Sequence, residues 1–414
     1  MTATTVTSST TSSTSTTSST TTTTTSSTST TTSSTSTTSS TTSTTTSSTS
    51  TTTSSTSTTS STTTSSTATT TTTSTTSTTP APEWSNTGSM SNSRYFHQAS
   101  MLTNGKVLIT GGMSPSSLNS AELFDPATGV CTAAANMIYS RAYHTASVLA
   151  SGKVLVTAGS GSGGIYNAEL YDPSTGVWTL TSNINRDRYI HTASVLTNGK
   201  VLVTGGSSSG FATNTAELYD PSTGVWTVTG NMNYARYYHA ASLLANGKVL
   251  VTGGSGGSGS YLNSAELFDQ VTGLWTVTSS MNYARQVHTA SVLTDGKVLV
   301  TGGSNVGGLT NTAELYNPLT GVWTVTGNMN YARYYHTASV LANGNVLVTG
   351  GISSIIYTSN AELYNPSTGL WTVTANMSYP RYAHTASVLS NGKVFVTGGF
   401  DGTVYLANSE LYQP

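Results

Sequence analysis

The sequence predicts an all-β fold, a seven-bladed β-propeller of four-stranded blades that follows a disordered Ser/Thr-rich tract. Three observations lead to this prediction. One segment recurs seven times with its histidines 47 to 49 residues apart, each copy divides into four short apolar runs, and the first and last copies are incomplete in complementary ways. A fixed period in this range is typical of folds that repeat one structural unit.

Each copy contains four apolar runs with turn signals between them. The first run, HTASVL in most copies, precedes a dipeptide such as Asn198-Gly199, which suits a type I′ hairpin. The second run, KVLVTGG, has the unbroken Val and Leu residues of a strand that is covered on both faces. After a variable Gly/Ser segment, AELYD and VWTVT are separated by turn residues such as Pro173. Each copy is therefore predicted to form one antiparallel blade.

The two ends of the sequence predict how the ring closes. The stretch EWSNTGSM, residues 83–90, reads as a fourth strand without the preceding three, and the last copy has only three strands, ending in SELYQP. We therefore expect strand 83–90 to complete the seventh blade, within a propeller of residues 81–414. Closure of this kind removes exposed sheet edges.

The repeated motifs resemble those of a known family. The double Gly after an apolar strand, the Tyr of ELYD and the Trp of GVW, at this spacing, resemble kelch repeats, whose length is near 50 residues. The resemblance covers Trp84 to Pro414. The stretch RYYHTASVLANGNVLVTGG resembles the propeller of galactose oxidase more closely than it resembles the kelch proteins associated with actin or ubiquitin ligases. It implies a kelch-type propeller, but a shared scaffold does not imply a shared site.

Residues 1–80 form a low-complexity segment. Only Ala3, Val6 and Ala68 interrupt the Ser and Thr residues between positions 2 and 79, so almost no apolar surface is present to offset the entropy of ordering. We predict a disordered stalk or linker. Its composition is typical of O-glycosylated stalks, and an unmodified flexible tether is the alternative.

Charge and hydropathy exclude several kinds of partner. The formal net charge of −1 gives no electrostatic reason to expect nucleic acid. No apolar run approaches the ~20 residues of a membrane span, and the start MTATTVTSST has neither the basic segment nor the apolar core of a signal peptide. We expect a monomer without membrane insertion. The Ser/Thr-rich tract favours an extracellular or cell-surface location, in which case this sequence lacks its natural beginning. An intracellular protein is the alternative.

An arginine and a glutamate recur once in every copy. Up-and-down topology places the start of the first strand and the start of the third strand at the same end of a blade, so the two side chains are expected to meet. A guanidinium facing a carboxylate tolerates partial burial, which favours a structural ion pair; an anion-binding ring of arginines is the alternative. The arginines are Arg94, Arg141, Arg188, Arg236, Arg285, Arg333 and Arg381. The glutamates are Glu122, Glu169, Glu217, Glu266, Glu314, Glu362 and Glu410.

All seven histidines occupy one position of the repeat, three residues after the arginine. A metal site requires three or four ligands that converge on one point, whereas identical residues in every blade usually serve packing. We therefore predict no metal site and no cofactor.

The resemblance to galactose oxidase implies a copper ion held by two Tyr and two His, with one Tyr cross-linked to a Cys. The single cysteine, Cys131, occupies an outer-strand position that is Trp in other copies, which places it far from the channel. We predict that Cys131 is a packing residue and that the protein has no catalytic residues and is not an enzyme. A relative of the copper-radical oxidases is the alternative.

The double Gly after the second strand varies in one copy. Its first position is Ala158 in the second copy, so we expect this position to have no need of positive φ. The second position is Gly in every copy and is expected to require the freedom of glycine.

The variable segment indicates where a ligand is expected to bind. It has 8, 8, 9, 10, 9, 9 and 9 residues in successive copies, which alone explains the different repeat spacings. Alternating strand direction places it on the same face as the connections between blades, and repeat proteins bind where insertions accumulate. We predict a binding module for a protein or glycan ligand, with an intracellular kelch scaffold as an alternative. The candidate ligand-binding residues are Phe211, Tyr261, Leu262, Ile355, Ile356, Tyr357, Phe400 and Tyr405.

Overall fold

The computed structural model of the chain describes residues 81–161, 166–354 and 356–414. The Ser/Thr-rich residues 1–80 lie outside the described residues, so the prediction for that segment stays a prediction. The fold is all-β. Among the described residues, no helix has the length and apolar character that a membrane crossing requires.

The described chain forms seven blades of four antiparallel strands, as predicted. The first strands of neighbouring blades contact one another around the central axis. The first strands of blades 1 to 7 are Gln98–Met101, Thr145–Val148, Thr192–Val195, Ala240–Leu243, Thr289–Val292, Thr337–Val340 and Thr385–Val388. The second strands are Val107–Thr110, Val154–Thr157, Val201–Thr204, Val249–Thr252, Val298–Thr301, Val346–Thr349 and Val394–Thr397. The third strands are Ala121–Asp125, Ala168–Asp172, Ala216–Asp220, Ala265–Asp269, Ala313–Asn317, Ala361–Asn365 and Ser409–Gln413. The outer strands are Val130–Ala134, Val177–Leu180, Val225–Val228, Leu274–Thr278, Val322–Val325, Leu370–Thr374 and Glu83–Thr87.

Strand Glu83–Thr87 closes the ring as the outer strand of blade 7. It pairs antiparallel with the third strand of that blade, with Trp84 opposite Tyr412. The Trp84 ring lies 5.1 Å from the Tyr412 ring, and its Nε1 donates a hydrogen bond to a backbone carbonyl of blade 6 at 2.7 Å. The strand is shorter than the predicted 83–90.

The core lies between the blades. The second strand of each blade, Val-Leu-Val in most copies, is buried along its whole length. Between blades 4 and 5, for example, Leu250 packs with Val298, Val300, Tyr316 and Trp323. Full burial of one such aliphatic side chain contributes about 1.5–3 kcal/mol. Each blade is therefore stabilised mainly by its neighbours, which is why an open ring would be costly.

The variable segments of blades 3 to 6 form two-stranded ribbons that the sequence analysis did not predict. Residues at their tips adopt positive φ, such as 50° at Ser209 and 87° at Gly210, a conformation that Gly adopts without steric cost. Strands of two or three residues are too short to show a periodic pattern. The ribbons pair Ser207–Ser208 with Phe211–Ala212, Ser255–Gly257 with Ser260–Tyr261, Ser304–Asn305 with Gly308–Leu309, and Ile352–Ser353 with Ile356–Tyr357.

The connections between blades run beside the start of the variable segments. Tyr189, at the end of one connection, forms an antiparallel bridge with Ser207 at the start of the variable segment of the same blade. The same bridge recurs in the other six blades. We call this side of the propeller, made of the variable segments and the connections, the variable face.

The prediction for the first position of the double Gly was wrong. Ala158 has a φ of 54°, close to the 57–64° of the Gly residues at this position in the other blades. A Cβ on Gly205, for example, would lie 2.5 Å from the carbonyl oxygen of Arg236 and 3.2 Å from Cε of Met232. Blade 3 carries Ile184 at the position of that Met, and Ala158 packs in one cluster with it. The shorter neighbour helps to accommodate the Ala side chain, which nevertheless adopts a strained φ.

Cys131 lies on the outer strand of blade 1, where the other six blades have Trp. Its Sγ donates to the carbonyl of Gly88 at 3.3 Å, as Trp Nε1 does to the equivalent carbonyl in other blades. Burial raises the pKa of the thiol to about 12, so the unreactive thiol dominates at neutral pH. Phe124, opposite Cys131, stacks on Phe395 of blade 7 with ring centroids 3.9 Å apart. Because other blades have Leu at that position, the larger Phe395 compensates for the smaller Cys131.

We expect Cys131→Trp and Phe395→Leu to stabilise the protein more together than the sum of the single changes. The first change alone inserts an indole beside the enlarged Phe395, and the second alone leaves space beside Phe124, whereas both restore the combination of the other blades. A double-mutant cycle of denaturant unfolding should give a coupling free energy of about 1–2 kcal/mol. Effects that add to within about 0.5 kcal/mol would show that the two residues do not compensate for each other.

Candidate binding face

Every blade contains a buried ion pair between the repeated arginine and glutamate. In blade 1, Nη2 of Arg94 donates to Oε1 of Glu122 at 2.9 Å. Both side chains are excluded from solvent. The equivalent pairs are Arg141–Glu169, Arg188–Glu217, Arg236–Glu266, Arg285–Glu314, Arg333–Glu362 and Arg381–Glu410.

The ion pair fastens the connection between blades to the variable segment. Arg94 also donates to the carbonyl oxygen of Gly111 at 2.7 Å, and Glu122 accepts the backbone N–H groups of Ser91 at 2.6 Å and Asn92 at 3.1 Å. Burial lowers the pKa of the Arg94 guanidinium, and the charge of Glu122 opposes this shift. Because the guanidinium is buried and its Nη groups donate within the blade, these arginines do not form the alternative anion-binding ring.

The histidines surround the axis and tie each blade to the one before it. Nε2 of His191 in blade 3 lies 2.9 Å from the hydroxyl of Thr145 in blade 2. Burial, reinforced by the positive charge of the neighbouring arginines, lowers the pKa of every imidazole, to about 3 for His239 and His336. The rings are therefore neutral at physiological pH. The seven residues are His97, His144, His191, His239, His288, His336 and His384.

The residue before each histidine lines one end of the channel in a strained conformation. Its φ lies between 51° and 57° in all seven blades, which for the β-branched Ile190 and Val287 is a genuine outlier. Backbone hydrogen bonds between blades hold these residues, such as the one from the N–H of Tyr143 to the carbonyl of Phe96 at 3.2 Å. Strain of this kind clusters at binding and catalytic sites. We call these residues the axial ring: Phe96, Tyr143, Ile190, Tyr238, Val287, Tyr335 and Ala383.

Aromatic members of the axial ring narrow the channel on the variable face. Phe96 stacks on Tyr143 with centroids 4.0 Å apart and meets Tyr335 edge-on at 5.4 Å. Tyr238 meets Tyr335 edge-on at 5.7 Å. Burial raises the pKa of all three phenols. This end of the channel is therefore an uncharged aromatic surface.

Five further aromatic side chains form a continuous surface over blades 6, 7 and 1, which we call the aromatic shelf. Tyr95 stacks with Tyr405 at 5.2 Å, and Tyr357 stacks with Tyr382 at 5.3 Å. Phe400 lies 5.1–6.0 Å from all four rings. Burial raises the pKa of Tyr382 to about 12. Tyr382 also contacts two aromatic residues of the axial ring, so the shelf and the channel mouth form one aromatic area.

Three of the predicted loop residues, Tyr357, Phe400 and Tyr405, belong to the aromatic shelf. Tyr95 and Tyr382 complete the aromatic shelf and were not predicted. Both precede a histidine by two residues, in the repeated stretch that reads RYYH in two blades. The repeated aromatic residue at this position was the available signal, but its repetition suggested packing within each blade.

The other predicted loop residues lie in different places. Phe211 and Ile356, on the ribbons of blades 3 and 6, are 78% and 68% exposed. Tyr261 and Leu262 in blade 4 are half-buried. Ile355 lies outside the described residues. Phe211, Tyr261 and Leu262 therefore do not form one patch with the aromatic shelf, whereas Ile356 adjoins Tyr357.

The variable face has almost no charge. The lysines lie at the hairpin turns of the opposite face, as in the ion pair Lys153–Asp172 at 3.2 Å. Apart from the buried ion pairs, only Arg186, Asp187 and Asp401 bring charge to the described part of the variable face. The connections between blades add exposed tyrosines to this face: Tyr234, Tyr283, Tyr331 and Tyr379.

Comparison with known proteins identifies the repeat. The family model described as the KLHDC2/KLHL20/DRC7 Kelch-repeats domain matches residues 190–399, about half of the 414-residue chain, and the Kelch motif model matches residues 95–138. The chain belongs to the kelch-repeat family. This membership confirms the prediction that the double Gly, ELYD and GVW motifs are those of kelch repeats.

Among solved structures, the kelch propeller is similar to a fungal alcohol oxidase of the AA5 family that was solved in complex with copper. The two chains are 20% identical with a TM-score of 0.66, over 81% of this chain and 77% of that chain. At this identity the likeness shows the fold alone. No curated protein matches the chain.

The residues of the kelch propeller do not fit the copper-radical site that the resemblance implies. That site needs a Cys cross-linked to a Tyr, whereas Cys131 lies on an outer strand with Phe124 opposite it. The histidines are spread around the axis, one in each blade, and bond threonine hydroxyls through Nε2. In the part of the chain that the structure describes, no three His, Cys, Asp or Glu side chains converge as metal ligands. No chemical step through copper follows from this chain.

Proposed function

We propose that the kelch propeller is a non-catalytic binding module that takes an uncharged protein or glycan ligand on the variable face. The observation that carries this proposal is the aromatic shelf, in which four tyrosine rings lie within about 6 Å of the Phe400 ring beside the channel mouth. Contiguous apolar surface of this kind usually marks an interaction site. Truncation of one aromatic anchor in such a patch to Ala commonly costs about 2 kcal/mol or more of binding free energy.

The composition of the variable face supports an uncharged ligand. Its ribbons consist largely of Ser, Gly, Asn and Tyr, the residues that antibody loops use for adaptable hydrogen bonding and rigid contact area. A charged ligand group buried here would meet no opposite charge, so binding of such a ligand is unfavourable. A neutral glycan and a peptide without charged anchors both meet this requirement.

The proposal extends to where the protein acts. The Ser/Thr-rich composition of residues 1–80 supports a tether that displays the propeller outside the cell or on its surface. Fractionation of cells, with detection of the chain and of O-linked sugars on it, tests this location. Recovery of unglycosylated protein from the cytosol alone would favour the intracellular scaffold.

We expect Ile356→Ser combined with Tyr357→Ser to weaken binding at least about tenfold. Tyr357 stacks on Tyr382, and Ile356 is exposed beside it, so the double change removes one side of the shelf. The ligand is first found by screening glycans and cell-surface proteins with the full chain, and affinity is then measured by calorimetry. The melting temperature should stay within about 2 °C, because surface substitutions usually cost under ~0.5 kcal/mol.

The matched control is Val271→Ser with Leu319→Ser. These residues are 90% and 95% exposed at hairpin turns of the opposite face, so the control removes as much exposed apolar character without touching the variable face. Gly402→Ala is a second probe of the shelf, since a Cβ there would lie 2.3 Å from the Tyr357 ring and displace it. Equal loss of affinity in the control, or a large drop in melting temperature with unchanged affinity in the shelf variant, would contradict the proposal.

A further inference from the structure

One hydrogen bond between neighbouring blades recurs around the wall of the central channel. In most blades the histidine accepts or donates a hydrogen bond through Nε2 with the Thr that begins the first strand of the preceding blade. His191 lies 2.9 Å from Thr145, and His384 lies 3.0 Å from Thr337. These contacts use hydroxyl groups of the wall to join neighbouring blades.

Two blades break the rule at the first residue of the first strand. Blade 1 has Gln98 and blade 4 has Ala240 in place of the Thr. The histidines that would bond these positions turn to the second strand instead: His144 lies 3.0 Å from Thr110, and His288 lies 2.9 Å from Thr252. His144 therefore has a hydroxyl partner without the amide of Gln98.

The Gln98 side chain lines the cavity and has no structural partner. It borders a central cavity of about 510 Å³. It makes no hydrogen bond within the residues that the structure describes. A carboxamide offers two donors and one acceptor oxygen. Gln98 is thus a large polar side chain that borders the cavity and remains available to bond a ligand.

The rest of the cavity is neutral. The imidazoles around it are uncharged, the hydroxyls of Thr289, Thr337 and Thr385 border it, and Phe96 and Tyr335 of the axial ring cover one end. The arginines behind this wall are buried in ion pairs and do not line the cavity. A charged molecule would therefore lose its water without meeting an opposite charge, whereas hydroxyl groups would find both donors and acceptors.

We propose that the axial cavity is a second binding site, for a small uncharged molecule rich in hydroxyl groups, with Gln98 as its principal hydrogen-bonding residue. The cavity volume lies in the range of about 300–1,000 Å³ that small-molecule sites occupy. The strained axial ring is a fixed, pre-formed border of the site, since interblade backbone hydrogen bonds hold it. This site lies inside the channel, whereas the aromatic shelf adjoins its mouth through Phe96 and Tyr335.

The test is saturation-transfer NMR on the full chain with uncharged probes, myo-inositol, sorbitol and glucose, and with the charged counterparts glucuronate and glucosamine. At least one uncharged probe should show saturable binding, and the charged counterparts should bind at least about tenfold more weakly. Gln98→Thr introduces the residue that five other blades carry, so it should fold with an unchanged melting temperature and lose at least about tenfold in affinity. Gln98→Ala copies the residue of blade 4 and serves as a second variant if the first folds poorly.

The shelf variant Ile356→Ser with Tyr357→Ser separates this site from the variable face. It should bind the uncharged probe with unchanged affinity, whether or not the proposed function of the shelf holds. Absence of saturable binding by every uncharged probe, equal binding by Gln98→Thr, or preference for a charged probe would overturn the proposal.

Discussion

We expect the free energy of unfolding to fall by on the order of 10 kcal/mol when the pH is lowered from 7 to about 5.5. The cause is the set of seven buried histidines that the fold keeps neutral. Burial lowers their pKa values, to about 3 for His239 and His336. In the unfolded chain the same imidazoles titrate near their ordinary pKa of about 6.5.

The sign follows from proton binding. Below pH ~6.5 the unfolded chain binds protons that the folded chain cannot accept, so each histidine removes about 1.4 kcal/mol of stability per pH unit. Seven such groups act together, and a typical domain has only about 5–15 kcal/mol to lose. Their contribution to stability is fully present above pH ~6.5 and is lost as the pH falls.

The measurement is denaturant unfolding at closely spaced pH values. His191→Gln is the informative variant, because an amide can still bond Thr145 while one titrating group is removed. The slope of the unfolding free energy against pH should then correspond to about one proton fewer. A wild-type stability that stays constant to within about 2 kcal/mol between pH 7 and 5.5 would contradict neutral buried histidines.

Removal of residues 1–90 should lower the melting temperature by more than about 10 °C, whereas removal of residues 1–79 should change it by less than about 2 °C. The longer truncation deletes strand Glu83–Thr87, whose five residues pair with the third strand of blade 7. It also deletes Trp84, which packs in the core between blades 6 and 7, and the buried Met90. Loss of the strand opens the ring and exposes an edge that can pair with other chains.

Differential scanning calorimetry of the two truncations provides the comparison. A third variant, Trp84→Ala in the full chain, retains the backbone pairing and removes the indole alone. It should fall between the two truncations, because burial of an aromatic ring typically contributes about 3–5 kcal/mol against truncation to Ala. Equal melting temperatures for the two truncations would show that the strand from the start of the propeller does not hold the ring closed.

Much of the fold could be predicted because every blade repeats the same local signals. The Asn-Gly turns, the continuous Val-Leu-Val strands and the incomplete first and last copies determine strand number, order and closure without any knowledge of distant contacts. The Arg94 and Glu122 positions could be paired in advance for the same reason, since topology alone places them at one end of the blade.

The features that could not be predicted depend on neighbours that are remote in the sequence. The positive φ of Ala158 is tolerated beside the shorter Ile184, and the small Cys131 is matched by the large Phe395 across the closing junction. A comparison of copies shows each substitution alone but not its partner. The short ribbons on the variable face were missed because a strand of two residues carries no periodic pattern.

The candidate site was predicted only in part for a related reason. Aromatic residues in variable segments, such as Phe400, stand out against Gly and Ser. Tyr95 and Tyr382 belong to the repeated stretch before each histidine, so they read as packing residues. Only the three-dimensional arrangement shows that they join the loops of three blades into one surface.

Hydrogen exchange of the full chain with and without its captured ligand tests the central claim, that the variable face is the binding surface. Ligand should slow exchange in the variable segments of blades 6 and 7, including Phe400 to Tyr405, and in the connection that leads to Tyr95. The hairpin turns around Val271 and Leu319 on the opposite face should exchange at the same rate in both samples. Slowed exchange at those turns, with no change in the variable segments, would contradict the account.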